Sequence, residues 1–327
     1  MEYRQLGRAG VRVSELCLGT MTFGNEADEA TSKQIVDRFM DAGGNFIDTA
    51  NVYSQGGSEE ITGRAIAGKR DQIVLATKAR FQMGTDTNAV GSSRRNLRAA
   101  CEASLRRLGT EWIDLYQVHC WDANTPLEET LSTLDDLVHE GKVRYIGASN
   151  FASWHLMMAL GLSALHGWEP FVCLQPEYSL ITRDAERELL PLCESEGLAV
   201  IPWSPLGGGV LTGKYTKGSE FDKGTRGGDS DNPITFIYRL DDRAWNVIDA
   251  VKAAAEKTGK TSAQIALNWV VDRRGITAPI IGARNLSQLD DNLGAIGWQL
   301  DDDTRKSLTW ASAFRLGYPH EFIQFAG

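Results

Sequence analysis

Short apolar runs alternate with longer segments whose apolar residues recur at helical spacing, and the alternation repeats along most of the chain. The opening differs: residues 3–6 and 11–13 flank the turn residues Gly7 to Gly10 and predict a β-hairpin. Residues 16–20 read as a buried strand ending in Gly19 and Thr20. Thr31, Ser32, Lys33 and Gln34 form a capping box, opening a helix with Ile35, Val36, Phe39 and Met40 on one face. Gly43 and Gly44 stop it, and a strand at 45–48 ends on Asp48, five residues before Tyr53. A helix over 58–67 leads to a strand at 73–77 that ends on Lys78. The helix over 92–108, with Leu97, Cys101, Leu105 and Leu108 in register, leads to a strand at 113–118 ending on His119. Thr125, Pro126, Leu127 and Glu128 combine a capping box with proline in the first turn, and Gly141 stops the helix they open.

Four more strands follow, at 143–148, 171–174, 198–202 and 279–281. They end on Ser149 and Asn150, on Gln175, on Trp203 and Ser204, and on Gly282. Helices are predicted over 183–196, 243–257 and 261–273, with another capped by Asn285 and boxed by Gln288. Eight strand–helix units predict a closed (β/α)8 barrel spanning residues 1–327 as one domain, with an N-terminal hairpin. An open doubly wound sheet is the competing arrangement. It rarely needs eight such units, and no Gly-x-Gly-x-x-Gly follows the first strand. Residues 205–241, after the seventh strand, are glycine-rich and aperiodic. A connection this long suggests a ligand-covering loop, a floppy insertion being the bland alternative. The tail beyond Trp310 carries Phe314, Tyr318, Phe322 and Phe325, enough aromatics to dock.

Composition narrows the function classes. The net charge of −9, with no run of Lys or Arg, argues against nucleic acid and anionic membranes as partners. It leaves room for a small anionic ligand. Five scattered cysteines without CxxC spacing argue against a disulfide framework or a zinc site and fit reduced thiols in a cytoplasm. The opening Met1-Glu2-Tyr3-Arg4 resembles no signal peptide, and no apolar run approaches the roughly 20 residues of a membrane span. A soluble cytoplasmic protein is expected, with a small-molecule substrate, no metal, and a homo-oligomer left open.

Taken singly, Asp48, Tyr53, Lys78 and His119 each have a structural role to hand: loop cap, half-buried aromatic, solvated strand end, core histidine. Jointly they stand at the ends of successive strands, where barrels keep their active sites. A phenol has an ordinary pKa near 10, and an adjacent ammonium lowers it. An aspartate keeps that ammonium charged, and a histidine can donate to a carbonyl oxygen or relay the proton. The set suits protonation of a carbonyl oxygen as hydride reaches its carbon.

The chain resembles the aldo-keto reductases over essentially its whole length. The resemblance rests on the stretch from Gly43 to Ala50 with Tyr53, Ser58 and Glu59, and on that from Ser104 to His119. It rests also on the stretch from Gly141 to Gly147 before Ser149 and Asn150, and on that from Pro202 to Gly209. It implies direct hydride transfer from a nicotinamide held without a Rossmann domain, with Tyr53 as general acid and Lys78, Asp48 and His119 completing a tetrad. Ser149, Asn150 and Gln175 would then hold the carboxamide and Trp203 stack on the ring, with Gly19, Thr20 and Met21 beside it and Asp48 beneath. Ser204, Pro205, Leu206, Gly208, Leu211 and Lys214 would take the pyrophosphate. Gly282, Arg284, Gln288, Asp291 and Asn292 would surround the adenosine end.

Arg284, just before the eighth helix, suits a 2′-phosphate, which favours NADPH and leaves NADH as a second cofactor. Phe23, Phe81, Trp121 and Tyr318, with Tyr53 and His119, are expected to wall the substrate pocket. The expected activity is NADPH-dependent reduction of aldehydes and ketones. The rivals are an NAD(P)-dependent sugar or alcohol dehydrogenase on the same residues, and a non-catalytic redox sensor like the potassium-channel β subunits. The position matching His119 is not histidine in those subunits.

Overall fold

The structure, a computed structural model, describes residues 1–218 and 240–326. Strands β1 (Tyr3–Gln5) and β2 (Arg12–Ser14) pair antiparallel, as the hairpin pattern predicts. Eight short strands follow: β3 (Cys17–Gly19), β4 (Phe46–Asp48), β5 (Val74–Ala79), β6 (Ile113–Val118), β7 (Val143–Ser149), β8 (Phe171–Gln175), β9 (Ala199–Val200) and β10 (Ile280–Gly282). They are parallel, in the order β10-β3-β4-β5-β6-β7-β8-β9. The remaining seam is stitched by Thr277 N donating to Val200 O at 2.8 Å and Ile280 N to Pro202 O at 2.8 Å. The result is the (β/α)8 barrel.

The connecting helices are α1 (Glu29–Asp41), α2 (Gly57–Ala65), α3 (Arg94–Leu108), α4 (Leu127–His139), α5 (Ser153–His166), α6 (Leu189–Glu196), α7 (Asp242–Thr258), α8 (Ser262–Val271) and α9 (Leu286–Leu293). Two more, α10 (Asp302–Ala311) and α11 (His320–Ala326), close the chain. No described helix is long and apolar enough to cross a membrane.

Two predicted caps are corrected. Helix α1 begins ahead of Thr31, because the Asp28 carboxylate accepts the Thr31 N–H at 2.8 Å and so caps the helix earlier. Thr125 does not cap α4: its hydroxyl donates to Asp122 Oδ2 at 2.7 Å, and Pro126 takes the cap position without a side-chain bond. Helix α5 escaped the sequence pattern for a physical reason. It buries Leu156 and Ala159 yet exposes Trp154, Met157, Met158 and Leu165, so it has no one-sided apolar stripe.

Alternation along the strands sets the barrel's interior. Phe46, Val74, Ala76, Leu115, Cys173, Ala199, Ile201 and Ala278 form one apolar cluster with Leu6, Ala9 and Val13 of the hairpin, which plugs the barrel floor. Gly7, at φ 58°, lets the turn lie against strand backbone: a Cβ there would stand 2.5 Å from Val172 O and 2.7 Å from Ala199 N. Two residues further along the strands, the same alternation carries Asp48, Lys78, Gln117 and Gln175, all at most 2% exposed. A polar layer therefore rests on an apolar one, at the C-terminal end of the barrel. The larger core fills the space between strands and helices, from Leu16 and Ile35 to Trp269 and Leu308.

The tail docks in part. Phe314 lies 5.6 Å from the Arg183 guanidinium and 5.0 Å from that of Arg187, whereas Phe322 and Phe325 are exposed. Of the long stretch after the seventh barrel strand, 219–239 fall outside the described residues, so the expectation of a covering loop there lies outside them too.

Candidate active site

The polar layer is built around a buried ion pair. Lys78 Nζ donates to Asp48 Oδ2 at 2.5 Å and to Thr49 O at 2.8 Å. Both charged side chains are nearly inaccessible, 0% and 2% exposed. A carboxylate so buried needs its lone pairs filled. Gln117 Nε2 and Gln175 Nε2 do so, donating to Asp48 Oδ1 at 3.1 and 3.0 Å, and Gln175 Nε2 also reaches Gln117 Oε1 at 3.2 Å. Burial alone would depress the Lys78 pKa, but the charge of Asp48 and the neighbouring Tyr53 outweigh it, so it stands above the ordinary 10.5. Lys78 is a fixed cation.

Tyr53 reaches this pair from a tight 3₁₀ turn, Tyr53–Gly56. Lys78 Nζ lies 5.1 Å from its ring centroid, and the His119 imidazole stands edge-on at 5.8 Å. The turn is clamped from outside. Ser54 Oγ donates to Phe23 O at 2.9 Å, and a Cβ on Gly56 (φ 96°) would stand 2.8 Å from Arg107 Cδ. Arg107 is itself held by the buried Glu59 at 2.7 Å, whose other oxygen accepts from Thr77. The expected lowering of the Tyr53 pKa is only partly met. Burial raises it above 10, Lys78 pulls it back, and burial prevails. Tyr53 therefore carries its proton at neutral pH and has it to give.

His119 follows β6 and is 9% exposed, with Phe81 edge-on at 4.7 Å and Nδ1 buried without a partner. Burial, and then the charges of Lys78 and Arg80, hold its pKa well below 6.5. The neutral imidazole is thus a hydrogen-bonding group and not a second cation. An unfolded chain takes up a proton at this histidine below about pH 6.5 and the folded one refuses it, so stability is lost as pH falls below that value. By NMR, the His119 imidazole should show no titration between pH 6 and 8, while the exposed His139, whose pKa is raised by Asp135, titrates. A His119 midpoint within that window would contradict its placement.

Around this centre, strained backbone marks the rim. Ser54, Gln55, Asn150 and Ser204 hold left-handed φ values of 48°, 53°, 55° and 51°. Each lies in a loop leaving the C-terminal end of a strand. Such conformations cost about 1–2 kcal/mol apiece in residues with a Cβ, and they gather where geometry serves a site. Asn150 Nδ2 donates to His119 O at 2.9 Å and to Ser149 Oγ at 3.0 Å, and Trp203 Nε1 donates to Asn150 Oδ1 at 3.2 Å. Ser149 Oγ donates to Gln175 O at 2.9 Å. The ends of β7, β8 and β9 thus form one hydrogen-bonded edge beside His119.

After Ser204, Pro205 and Leu206, the chain makes a 3₁₀ turn over Gly207–Thr212. Gly208 and Gly209 have φ of 62° and 96°. The Lys214 ammonium is 3.2 Å from where a Cβ on Gly209 would stand. A side-chain-free backbone with a cation over it is a cradle of phosphate type. Leu211 is buried beneath it.

The other expected residues separate into neighbours and supports. Gly19 has no room for a side chain, since its Cβ would stand 2.6 Å from Ile280 Cγ2. Thr20 bonds Ser58 Oγ at 2.9 Å, and Met21 is exposed. At the far end, Asn285 caps α9 by accepting from Gln288 N, and Gln288 Oε1 accepts from Arg284 N at 3.0 Å. Arg284 NH2 pairs with Glu26 Oε1 at 2.8 Å. Asn292 Nδ2 holds Gly282 O at 3.0 Å, and Asp291 accepts from Thr261 and Gln264 at the start of α8. Of the expected pocket walls, Phe81 faces His119, and Trp121 stacks on His155 at 3.8 Å. Phe23 lies in the core and Tyr318 is 88% exposed. Gln117 and Glu26 were not anticipated. The period-2 pattern through Leu115 could have flagged Gln117, whereas nothing in the sequence signals Glu26.

Residues 15–312 match the aldo/keto reductase family, to which this chain belongs. Among its relatives, the uncharacterized oxidoreductase YrpG of Bacillus subtilis is 40% identical over 94% of this chain and 95% of its own length. A norsolorinic acid reductase of Aspergillus flavus is 36% identical over 96% of this chain and 82% of its own. An aryl-alcohol dehydrogenase of Pestalotiopsis microspora is 33% identical over 98% of this chain and 84% of its own. The chain is thus a (β/α)8 member of an oxidoreductase family. Among the described residues no cluster of three or more His, Cys, Asp or Glu is placed to hold a metal.

Proposed function

We propose that the protein is an NADPH-dependent reductase that converts aldehydes and ketones to alcohols, with Tyr53 as general acid. The observation that carries this reading is the buried Lys78–Asp48 pair beneath a protonated Tyr53 and beside a neutral His119. A bound nicotinamide supplies the hydride that reduces the carbonyl carbon. Tyr53 hydrogen-bonds the carbonyl oxygen and gives up its phenolic proton as negative charge gathers there. The O–H bond of Tyr53 breaks as that of the alcohol forms. Lys78 stabilises the phenolate left behind, Asp48 keeps Lys78 in place, and solvent restores the proton. His119, being neutral, donates a hydrogen bond to the same oxygen and orients it.

The donor set fits the cofactor. The edge made by Ser149, Asn150 and Gln175 offers the groups a carboxamide needs, and the Trp203 ring offers a stacking face. The cradle at Gly208 with Lys214 suits a pyrophosphate, and Arg284 ahead of α9 suits a 2′-phosphate. Gln288, Asn292 and Asp291 act as supports of that end. Phe81 and Trp121 wall the substrate side. Together with relatives named for norsolorinic acid reduction and aryl-alcohol dehydrogenation, they support an aromatic carbonyl as substrate. The second of these names also favours the reverse direction, alcohol oxidation, on the same residues. The acidic composition and free cysteines support a reducing cytoplasm as its place.

The test is a panel of aryl and alkyl carbonyls, sugars and alcohols assayed with NADPH and NADH in both directions. Reduction of aryl aldehydes with NADPH is expected, and an inactive panel with either cofactor would overturn the proposal. Within it, Arg284→Ala should weaken NADPH roughly tenfold or more by fluorescence titration, the worth of a charge-assisted contact. NADH, lacking the phosphate, should change little. Equal losses for both would remove Arg284 from the assignment.

A further inference from the structure

Glu26 sits at the apex of a tight loop between β3 and α1. The loop is closed by Gly24 N donating to Ala27 O at 2.9 Å and Ala27 N to Thr22 O at 2.9 Å. It is tied to the exit of the neighbouring strand β10, where Thr22 Oγ1 donates to Ala283 O at 2.8 Å. Phe23 anchors it in the core at 0% exposure. The carboxylate so presented meets the Arg284 guanidinium at 2.8 Å, the two side chains being 25% and 30% exposed. The backbone of Arg284 is fixed as well, through its N–H to Gln288 Oε1 at 3.0 Å. Neither partner is a loosely held surface charge. The loop places a negative charge beside the one residue ahead of α9 suited to bind an anion.

We propose that Glu26 sets the balance between NADPH and NADH by competing with the 2′-phosphate for Arg284. This rests on the cofactor site proposed above. A 2′-phosphate arriving at Arg284 must displace or share the Glu26 contact, and it then lies within a few ångströms of a carboxylate. Like charges at that distance repel appreciably, and a half-buried site screens them less than open water does. A ribose 2′-hydroxyl has the opposite relation to Glu26, because it is a donor that a carboxylate accepts. The pair therefore lowers the selectivity for NADPH that Arg284 alone would give. The protein should use both cofactors to a degree that Glu26 controls.

The experiment is equilibrium titration of NADPH and NADH by nicotinamide fluorescence, without substrate, on the wild type, Glu26→Gln, Glu26→Ala, Arg284→Ala and the Glu26→Gln/Arg284→Ala double variant. Glu26→Gln should tighten NADPH by roughly tenfold, the scale of one charge-assisted contact, and leave NADH unchanged or somewhat weaker. Glu26→Ala should move in the same direction. In the Arg284→Ala background most of the effect should vanish, because the competition runs through that guanidinium. NADPH binding that is unchanged or weaker in both Glu26 variants, or equal shifts for both cofactors, overturns the proposal while leaving the site standing. A wild type that binds neither nucleotide overturns the site itself and this proposal with it.

Discussion

Replacing Tyr53 with Phe should lower the turnover of a good aldehyde substrate by at least about 100-fold, while NADPH affinity stays within a few-fold. General acid catalysis contributes typically 10²–10⁴-fold, and the substitution removes the phenolic hydroxyl that carries the proton while leaving the ring. The ring keeps its edge contact with His119 and its place over Lys78. The turn that carries it is held by Ser54, Gly56 and Arg107, none of which touches the hydroxyl. Cofactor affinity is spared because the hydroxyl acts on the developing alkoxide and not on the dinucleotide. Single-turnover rates with NADPH, beside a fluorescence titration of the same variant, separate the two effects. Turnover near that of the wild type would mean that another group supplies the proton and would remove Tyr53 from the centre of the mechanism. Loss of NADPH binding in step with turnover would make its role one of packing.

Asp48, Lys78 and His119 could be singled out because each stands where an apolar run gives way, at the last residue of β4, the last but one of β5 and just past β6, and Tyr53 lies in the loop that leaves β4. Asp48, Lys78 and His119 needed only the assumption that their strands are parallel neighbours, which the register confirms: Asp48 lies opposite Ala76 and Lys78 opposite Gln117. Gln117 was missed because it lies within an apolar run that continues to Val118, although its spacing of two from Leu115 puts it on the inward face, where it holds Asp48. The direction of the Tyr53 pKa shift was misjudged as well. A neighbouring ammonium can be guessed from spacing, but the depth of burial that outweighs it depends on the whole rim. Glu26 was beyond reach, since its meaning comes from an arginine 258 positions away that the pairing of β10 with β3 brings alongside. The caps failed at Thr31 and Thr125 because a nearby aspartate took the bond in each case. Sequence spacing lists the competing partners without ranking them.

The Lys78–Asp48 pair makes a prediction about stability that separates its structural role from its chemical one. Lys78→Met should lower stability by about 3–5 kcal/mol, because it strands a buried carboxylate, and should cut turnover by at least about 100-fold. Gln117 and Gln175 still donate to Asp48, but two neutral amides do not replace a cation. The lost rate has a separate origin: without the ammonium, the pull that restrains the raised Tyr53 pKa disappears and its proton is held more tightly. The pKa of Lys78 stands above 10.5, so its stabilising contribution is complete below about that pH and is lost only as pH rises through the higher folded value. Adding Asp48→Asn removes the stranded charge while keeping an acceptor for the two glutamines. Asp48→Asn/Lys78→Met should thus regain most of the lost melting temperature, since replacing both members of a buried pair is often near neutral. Activity should stay lost, because the cation beneath Tyr53 is still missing. Thermal melts and turnover on the three proteins decide the matter. Activity that returns together with stability in the double variant would show that Lys78 serves the fold alone, and that the proton of Tyr53 is tuned by something else.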